Sequence, residues 1–275
     1  MSSPAEVRAL SIGGAARVAL GSRAPARVFA SFERSCYVET QDGIACVGGP
    51  DIGRGPLNVI VEGPLRIPEG FLLVDTSGTE TWLPPLNAFK EIPRVTAPAI
   101  TEPWRHHREA QAFLGWLENG AQTPAPRTAN ALIGMGPGLT PSGDDFVGGA
   151  MIALRAAGRV ELADRVAAWA LGLARHRTSR ISRAHLACAA AGEGHEALHD
   201  LLGVIHREQQ AIDRAIAALA RVGHSSGLDA AAGALLSLET VWRANPDETA
   251  TSGIPARTRR IPRPLYTSFV RRFLA

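Results

Sequence analysis

The segment from residue 134 to residue 149, GMGPGLTPSGDDFVGG, contains the residue types that a chemical site needs. Three alternating glycines, a Thr-Pro and a Ser-Gly precede two adjacent carboxylates, Asp144 and Asp145, and a helix-like run follows. Glycine-rich loops expose backbone amides, and a helix N-terminus carries partial positive charge, so this arrangement is typical of an anion or ligand cradle. The spacing matches neither the P-loop pattern GxxxxGK[ST] nor the dinucleotide pattern GxGxxG. The segment therefore predicts a ligand site without naming the ligand.

The two adjacent carboxylates narrow the chemistry, because carboxylates repel phosphate at short range. They suit a site in which they accept hydrogen bonds from an uncharged amide or carbamoyl NH2, in which Mg²⁺ bridges them, or in which an Arg neutralises them. An Asp can also act as a base towards such a nitrogen. All three alternatives remain open from the sequence. No helix cap requires Asp144, so we expect its replacement to leave thermal stability almost unchanged.

The same pattern returns later in the chain, where Ser226–Leu235 (SGLDAAAGAL) aligns with Ser142–Met151 (SGDDFVGGAM) at five identical positions. Ser-x-x-Asp resembles a capping box, in which the Ser side chain and the acid satisfy the first amides of a helix. Gly149 and Gly233 would let two helices approach closely. One interpretation is that two helix starts simply pack together. In the other, both copies face one shared pocket, which requires that they lie close together.

Arginines surround a TxxIS motif at Thr178–Ser182. Arg177, Arg180 and Arg183 have i, i+3, i+6 spacing, which predicts one side of a helix. That side is either a solvated face with Thr178 as the helix cap, or an Arg clamp on phosphate or carboxylate.

His195 and His199 have the i, i+4 spacing that can bind a metal, but the sequence offers neither an HExxH motif nor a nearby third ligand. The pair therefore predicts an exposed helix face.

Three motifs together resemble those of one bacterial family: GxGxGLTPSGDDFxxG, TxxIS at Thr178–Ser182, and GHSSGLDxxxG at Gly223–Gly233. They are similar to those of the AllH-like proteins, whose namesake is a subunit of the oxamate carbamoyltransferase of anaerobic allantoin breakdown. DGIACVGG and GRGPLNVIVEG suit the weaker N-terminal pattern of that family.

The resemblance implies transfer of a carbamoyl group between oxamate and phosphate, with oxalurate and phosphate on one side and carbamoyl phosphate and oxamate on the other. It also implies two partner subunits, AllF-like and AllG-like, and it does not say which subunit carries the chemistry. A noncatalytic scaffold or regulatory subunit of that complex is one alternative. A stand-alone Mg-dependent acyl-phosphate enzyme is another.

With that chemistry, the motifs give a set of candidate residues. The candidate catalytic residues are Asp144, Asp145, Asp229 and His224. The candidate substrate-binding residues are Gly136, Gly138, Thr140, Ser142, Gly143, Thr178, Arg180, Ser182, Ser225, Ser226 and Gly227. Asp144 and Asp145 are also the candidate ligands of a Mg²⁺ ion, which is the only cofactor that the motifs suggest.

Strands and helices must position these residues. The sequence predicts an α+β fold with a β-rich part, 1–97, followed by an all-helical part, 98–275. Short β-branched runs separated by Gly, Pro and Asp-Gly indicate strands in the first part: ARVALGS, ARVFASF, SCYVET, GIACVGG, LNVIVEG and GFLLVDTSG. Helices are predicted from Thr101 to Gly120 and in six later segments: DDFVGGAMIALRAA, ELADRVAAWALGLARH, SRISRAHLACAAA, HEALHDLL, HREQQAIDRAIAALARV and LDAAAGALLSLETVWRA.

The composition is that of a globular, cytoplasmic protein, with 45% hydrophobic residues, 20% charged residues and a net charge of +3. The sequence has no apolar run long enough to cross a membrane, no signal peptide pattern and no nucleic-acid-binding motif. Three scattered cysteines predict reduced packing thiols. A hairpin loop at Asp42-Gly43 would place Cys46 opposite Glu39.

Overall fold

The computed structural model describes residues 5–63, 65, 67–85 and 97–244. Of these, the residues up to 84 form one compact unit and those from 85 onwards form a second. The first is built of strands and the second of helices, so the predicted α+β class is confirmed.

The strands of the first unit close into a six-stranded barrel. Its strands are β1 (Ala5–Gly13), β2 (Arg23–Ser31), β3 (Ser35–Thr40), β4 (Gly43–Gly48), β5 (Asn58–Val61) and β6 (Phe71–Asp75), and β7 (Thr81–Trp82) pairs with the end of β1. The order is β5-β4-β3-β2-β6-β1. Closure depends on β1, which pairs parallel with β6 from Ala5 to Arg8 and antiparallel with β5 from Ala9 to Ile12, with an irregularity between Ala9 and Ser11. A closed barrel of this kind leaves few unpaired backbone groups.

A short helix, α1 (Gly14–Leu20), takes the place of the strand predicted at ARVALGS, and that prediction was wrong. Ala15, Ala16, Ala19 and Leu20 are buried, which is the i, i+3, i+4 spacing of a helix face and not the alternation of a strand. Ala16 and Leu20 belong to the barrel core. The small, helix-favouring alanines fit where larger β-branched side chains would not.

The β3–β4 hairpin differs from its predicted register by one loop position. Thr40 pairs with Gly43, so the turn consists of Gln41 and Asp42, and Cys46 lies opposite Tyr37 instead of Glu39. All three cysteines are buried and free, which confirms the prediction of reduced thiols. Burial raises the pKa of the Cys46 thiol to about 12, so it is a packing group and not a nucleophile.

The second unit contains eight helices within residues 97–244. They are α2 (Pro98–Arg105), α3 (Arg108–Glu118), α4 (Ser142–Ala156), α5 (Val160–Arg177), α6 (Arg180–Ala190), α7 (Glu196–Val204), α8 (Gln209–Leu219) and α9 (Ser226–Ala244). The six later predictions are confirmed as α4 to α9. The single helix predicted from Thr101 to Gly120 was wrong, because the backbone becomes extended at His107 (φ −79°, ψ 119°) and a second helix starts there.

The packing of α4 against α9 is the closest in this unit. A Cβ atom on Gly149 would lie 1.9 Å from the carbonyl oxygen of Ala230, and one on Gly233 would lie 1.9 Å from that of Phe146. Each helix therefore needs a glycine at the point where the backbone of the other passes, as the aligned sequence copies predicted.

His199 does not lie on an exposed helix face, and that prediction was wrong. The ring is 4% exposed, and its Nε2 accepts a hydrogen bond from the Gly194 N–H at 3.1 Å. His195 lies at the N-terminus of α7, where its Nδ1 accepts from the Ala197 N–H. Burial, together with the proximity of His195, lowers the pKa of His185 and of His199 to about 4.

The glycine crossing gives a first prediction. Gly233→Ala should lower the urea midpoint of unfolding substantially, at a cost of roughly 1–3 kcal/mol, because the added methyl group forces α4 and α9 apart. Gly172→Ala is the matched control, since a Cβ there meets nothing within 4 Å and Gly172 lies inside α5. The control should raise stability by about 0.5–1 kcal/mol through helix propensity. Equal effects of the two substitutions would contradict the close packing.

The buried histidines give a second prediction, on acid stability. Because the native pKa of His185 and His199 is about 4 and the unfolded value is about 6.5, only the unfolded chain takes up these protons as the pH falls below about 6.5. Stability should therefore fall between about pH 6.5 and 4, as measured by urea midpoints. His199→Gln should remove one proton from that dependence, whereas His176→Gln, at an exposed position, should not change it.

Candidate functional site

The two sequence copies have the same local structure. In the first, the Met135 N–H donates to Leu132 O at 3.0 Å, the Gly143 N–H donates to Met135 O at 3.0 Å, and a Cβ on Gly143 would lie 2.0 Å from Leu132 O. The second copy repeats each contact with Leu219, Val222 and Gly227, at 2.9, 3.1 and 2.1 Å. The N–H groups of Gly143 and Gly227 thus serve these turns and are not open to a ligand.

The expected capping box is absent from α4, and that interpretation was wrong for the first copy. The N-cap position is Pro141, and no side chain caps the helix. The N–H groups of Asp144 and Asp145 instead donate to the Pro141 carbonyl, at 2.9 and 3.1 Å. The side chains of the motif are therefore available for other contacts.

The two copies lie side by side, as the shared-pocket interpretation requires. Thr140 Oγ1 lies 3.0 Å from Ser226 Oγ, so the loop before α4 touches the first residue of α9. The Asp145 carboxyl also has Ser226 as a hydrogen-bonding neighbour and interacts electrostatically with Asp229. Both helix N-termini, with their partial positive charges, meet here.

Two carboxylate oxygens at this meeting point are buried without a hydrogen-bond partner among the described residues. They are Oδ2 of Asp145 and Oδ2 of Asp229, one from each copy. The other oxygen of Asp229 accepts from the indole Nε1–H of Trp104 at 3.1 Å. Unsatisfied buried polar atoms are rare in folded proteins, and a bound ligand or water is a usual explanation.

The environment of Asp145 favours the protonated form of its carboxyl group. Burial raises the pKa of this group well above its usual range, the negative charges of Asp229 and Asp144 raise it further, and the Ser226 hydrogen bond opposes them. A protonated Asp145 is neutral and can donate a hydrogen bond. It can also transfer a proton to a substrate.

Asp144 has a different role from its neighbour. It is 2% exposed, its Oδ1 accepts from the Gly134 N–H at 2.8 Å, and its Oδ2 accepts from the hydroxyls of Ser182, at 2.6 Å, and Thr178. This carboxylate therefore joins the glycine-rich loop to the TxxIS motif and has its oxygens occupied by protein donors.

These contacts change two expectations about Asp144. Its replacement can no longer be expected to leave stability unchanged, because it would break three hydrogen bonds. A Mg²⁺ ion held jointly by Asp144 and Asp145 also fits poorly, because the two side chains have different partners. Within the described residues, no group of three or more His, Cys, Asp and Glu side chains is placed to hold a metal ion.

The TxxIS motif spans a helix junction. Thr178 follows the last residue of α5, and Ser179 caps α6 by accepting from the Ser182 N–H at 3.0 Å. The Ser179 hydroxyl donates to Leu139 O, which fixes the loop before α4. Thr178 as the helix cap was therefore a wrong prediction.

The predicted arginine face is also wrong, because the junction divides it. Arg177 belongs to α5 and donates to Asn130 O at 2.7 Å, whereas Arg180 and Arg183 belong to α6 and are half-buried.

The remaining predicted residues lie on the solvent side of the same region. Gly136 and Gly138 are exposed and have φ angles of 108° and 89°, in the region that favours glycine. His224 is exposed, and the Ser225 carbonyl accepts from the Asp229 N–H. Ser142 is half-buried at the first turn of α4.

Trp104 is the site residue that the sequence analysis missed. It lies 125 positions before Asp229 and on another helix, so no local spacing connects them. The indole ring stacks on Phe146 of α4, with ring centroids 4.4 Å apart. In the sequence, Trp104 follows Pro103 near the start of the helix predicted from Thr101, a position that indicates a helix start and not a functional residue.

A cavity of about 520 Å³ lies in the barrel unit, far along the chain from these motifs. Acidic side chains (Glu6, Glu62 and Glu80) line part of it, and none of the predicted site residues does. The paired segments of the helical unit are the better candidate, because they combine hydroxyls, a carboxyl pair and two helix N-termini.

Asp144 and Asp145 give a third prediction, since the same Asp→Asn change should have opposite effects at neighbouring positions. Asp144→Asn should destabilise the protein by about 1–3 kcal/mol, because the Asn NH2 group cannot accept the hydrogen bonds that one of the two carboxylate oxygens accepts. Asp145→Asn should stabilise it by about 1 kcal/mol at pH 7, because a neutral side chain replaces a carboxyl whose raised pKa makes its ionisation costly. Thermal melts of the two variants, measured together, test this. Equal shifts in the same direction would contradict the assignment.

Among the described helices, none combines the length and apolar character needed to cross a bilayer. No curated protein and no solved structure matches the chain significantly. Residues 132–238 match the family model described as oxamate carbamoyltransferase subunit AllH. This range begins at the turn before α4, ends within α9 and includes Asp144, Asp145 and Asp229. The resemblance to the AllH-like proteins is thereby confirmed as a match of residues 132–238 to that family's model.

Proposed function

We propose that this protein is the AllH-like subunit of an oxamate carbamoyltransferase and that it binds substrate where the N-termini of α4 and α9 meet. The observation that carries the proposal is the pair of buried, unpartnered carboxylate oxygens, Asp145 Oδ2 and Asp229 Oδ2. An amide or carbamoyl NH2 group supplies the hydrogen-bond donors that these oxygens lack.

The electrostatics of the pocket suit a ligand with one anionic end and one amide end. The N-termini of two helices favour a phosphate or carboxylate group, and the hydroxyls of Thr140 and Ser226 add donors. The repulsion expected between phosphate and the acids is reduced to the extent that Asp145 is protonated, which its raised pKa favours. The unpartnered oxygens of Asp145 and Asp229 face the amide end.

The same pair can exchange the proton that carbamoyl transfer requires. In the direction of oxalurate breakdown, a phosphate oxygen attacks the carbamoyl carbon, the carbon–nitrogen bond to oxamate breaks, and the oxamate nitrogen takes up one proton. In this proposal Asp145 donates that proton and, in the reverse direction, accepts it. Polar groups fixed around the reacting carbonyl lower the barrier in either direction.

The proposal includes AllF-like and AllG-like partner subunits and a role in allantoin catabolism. It also includes a cytoplasmic location, where the three free thiols would stay reduced.

A second candidate function is that of a noncatalytic scaffold or regulatory subunit. It is favoured by the structural use of much of the motif: Asp144 joins three segments, and Gly149 and Gly233 allow two helices to cross. In that case the chemistry lies in a partner, and the carboxyl pair is not needed for turnover.

Activity of the reconstituted complex separates these functions and gives a fourth prediction. Asp145→Asn and Asp229→Asn should each reduce oxamate-dependent phosphate release from carbamoyl phosphate by about 10²-fold or more, because proton transfer by a placed side chain contributes about 10²–10⁴-fold. The matched control is Asp213→Asn, an exposed Asp on α8, which should leave the rate unchanged.

Assembly of each variant with the partner subunits must be measured in parallel, for example by size-exclusion chromatography. Full activity of both site variants in an assembled complex would place the chemistry in a partner and support the scaffold. No activity in any assembled mixture, the unsubstituted one included, would exclude oxamate as the substrate.

A further inference from the structure

Asp145 and Asp229 occupy equivalent positions in the two sequence copies, and the Oδ2 atom of each is buried without a hydrogen-bond partner among the described residues. We infer that these two oxygens bind the two hydrogens of one NH2 group, so that the site accepts a primary amide and rejects the same molecule with a methyl group in place of the NH2. The inference rests on the proposed function for the location of the site. It adds which chemical feature of the substrate the carboxyl pair recognises.

The contacts between α4 and α9 relate the two acids by an approximate two-fold axis. A Cβ on Gly149 would lie 1.9 Å from the carbonyl oxygen and 2.6 Å from the carbonyl carbon of Ala230. A Cβ on Gly233 would lie 1.9 Å and 2.6 Å from the same two atoms of Phe146. Reciprocal contacts of this kind are those of a two-fold interface. The two carbonyls belong to the residues that directly follow the two acids, so the carboxyl groups lie on opposite sides of this axis.

A primary amide matches this symmetry. Its NH2 group has two N–H donors on opposite sides of the C–N bond, so that one can point to each acid. A hydroxyl group supplies one hydrogen and leaves one oxygen unsatisfied. A methyl group has nearly the size of NH2 but supplies no donor, so both buried oxygens would lose their hydrogen bonds to water and gain none from the ligand.

The other oxygen of each acid has a protein partner, which leaves Oδ2 to the ligand. Oδ1 of Asp229 accepts from the indole N–H of Trp104 at 3.1 Å, and this donor fixes which oxygen faces the site. Asp145 has the Ser226 hydroxyl as its neighbour. A hydroxyl can accept as well as donate, so a proton on Asp145 can lie between these two groups while Oδ2 remains an acceptor. Recognition of NH2 therefore does not require a particular protonation state.

A fifth prediction compares ligands that differ only in this group. Pyruvate is oxamate with CH3 in place of NH2, and acetyl phosphate is related to carbamoyl phosphate in the same way. In calorimetric titrations of the assembled complex, pyruvate should bind about 10²-fold or more weakly than oxamate, because a site built to hydrogen-bond an N–H rejects the analogue without it. The two phosphates form a second comparison, and the comparison that shows the preference identifies which NH2 group is bound. N-methyloxamate keeps one of the two hydrogens and should bind about 10-fold or more weakly than oxamate.

Asp229→Asn tests the inference at a single atom. Because the indole N–H of Trp104 only donates, the Asn oxygen must take the place of Oδ1, and the Asn NH2 group then takes the place of Oδ2. A donor would face the NH2 group of the ligand, so the preference for NH2 over CH3 should fall by about 10-fold or more. Asp213→Asn makes the same change at an exposed position of α8 and should leave the preference as it is.

Three outcomes would overturn the inference. Equal binding of the NH2 and CH3 ligands in both comparisons would mean that the two oxygens hold water when the ligand is bound. Equal binding of oxamate and N-methyloxamate would mean that the site does not read both hydrogens. These two results need only the unsubstituted protein, in case the variant does not fold. The third is a preference that Asp229→Asn leaves unchanged.

The binding measurements are separate from turnover. Carbamoyl transfer by a complex that binds pyruvate as well as oxamate, and acetyl phosphate as well as carbamoyl phosphate, would contradict the inference and leave the proposed function standing. A preference for NH2 that Asp229→Asn removes, in a complex without carbamoyl transfer, would support the inference and contradict the proposed function.

Discussion

The crossing of α4 and α9 without side chains between them is the constraint on which the rest of the helical unit depends. Gly149 and Gly233 each leave room for a carbonyl of the opposite helix, so the two backbones touch about one to two turns beyond their first residues. Helices usually pack 8–10 Å apart, with side chains setting the separation. Here the small residues bring the two N-termini together, and with them Thr140, Ser226 and the carboxyl pair. The proposed ligand site therefore depends on this backbone contact, and the hydroxyl and carboxyl groups would line it.

Asp144 and Asp145 are consecutive on α4, but the first has a structural role and the second belongs to the proposed site. Successive side chains point about 100° apart, so Asp144 turns towards the loop and α6, and Asp145 turns towards α9. Asp144 has all the donors it needs and is a stable part of the fold. Asp145 has burial and like charges around it, which is unfavourable for a carboxylate and useful for an acid. The two acids therefore differ in their hydrogen-bond donors: protein groups donate to both oxygens of Asp144, whereas one oxygen of Asp145 has no donor among the described residues.

The sequence was most informative where local pattern determines structure. Helical periodicity located α4 to α9, and the alignment of the two Ser-Gly-x-Asp segments predicted both the glycine crossing and their proximity. It failed where the partners are distant: the Ser-x-x-Asp of the first copy suggested a local cap, but no side chain caps α4 and Asp145 has Ser226 of α9 as its neighbour. No sequence pattern near Trp104 indicated a hydrogen bond to Asp229. The segment that forms α1 resembled a strand, because the apolar pattern of seven residues does not distinguish a short buried helix from a strand.

The repeated turn, Leu132–Gly143 and Leu219–Gly227, has unequal loops: six residues separate Met135 from Ser142, and three separate Val222 from Ser226. Two identical chains meeting across a two-fold axis would present two identical carboxyl groups, and neither could keep the proton in preference to the other. Within one chain the halves are free to differ: the longer loop brings Thr140 to Ser226, and Asp229 of the other copy accepts from Trp104. Covalent connection of the two halves thus permits different surroundings for the two acids, and the proposed exchange of a proton by Asp145 alone needs that asymmetry.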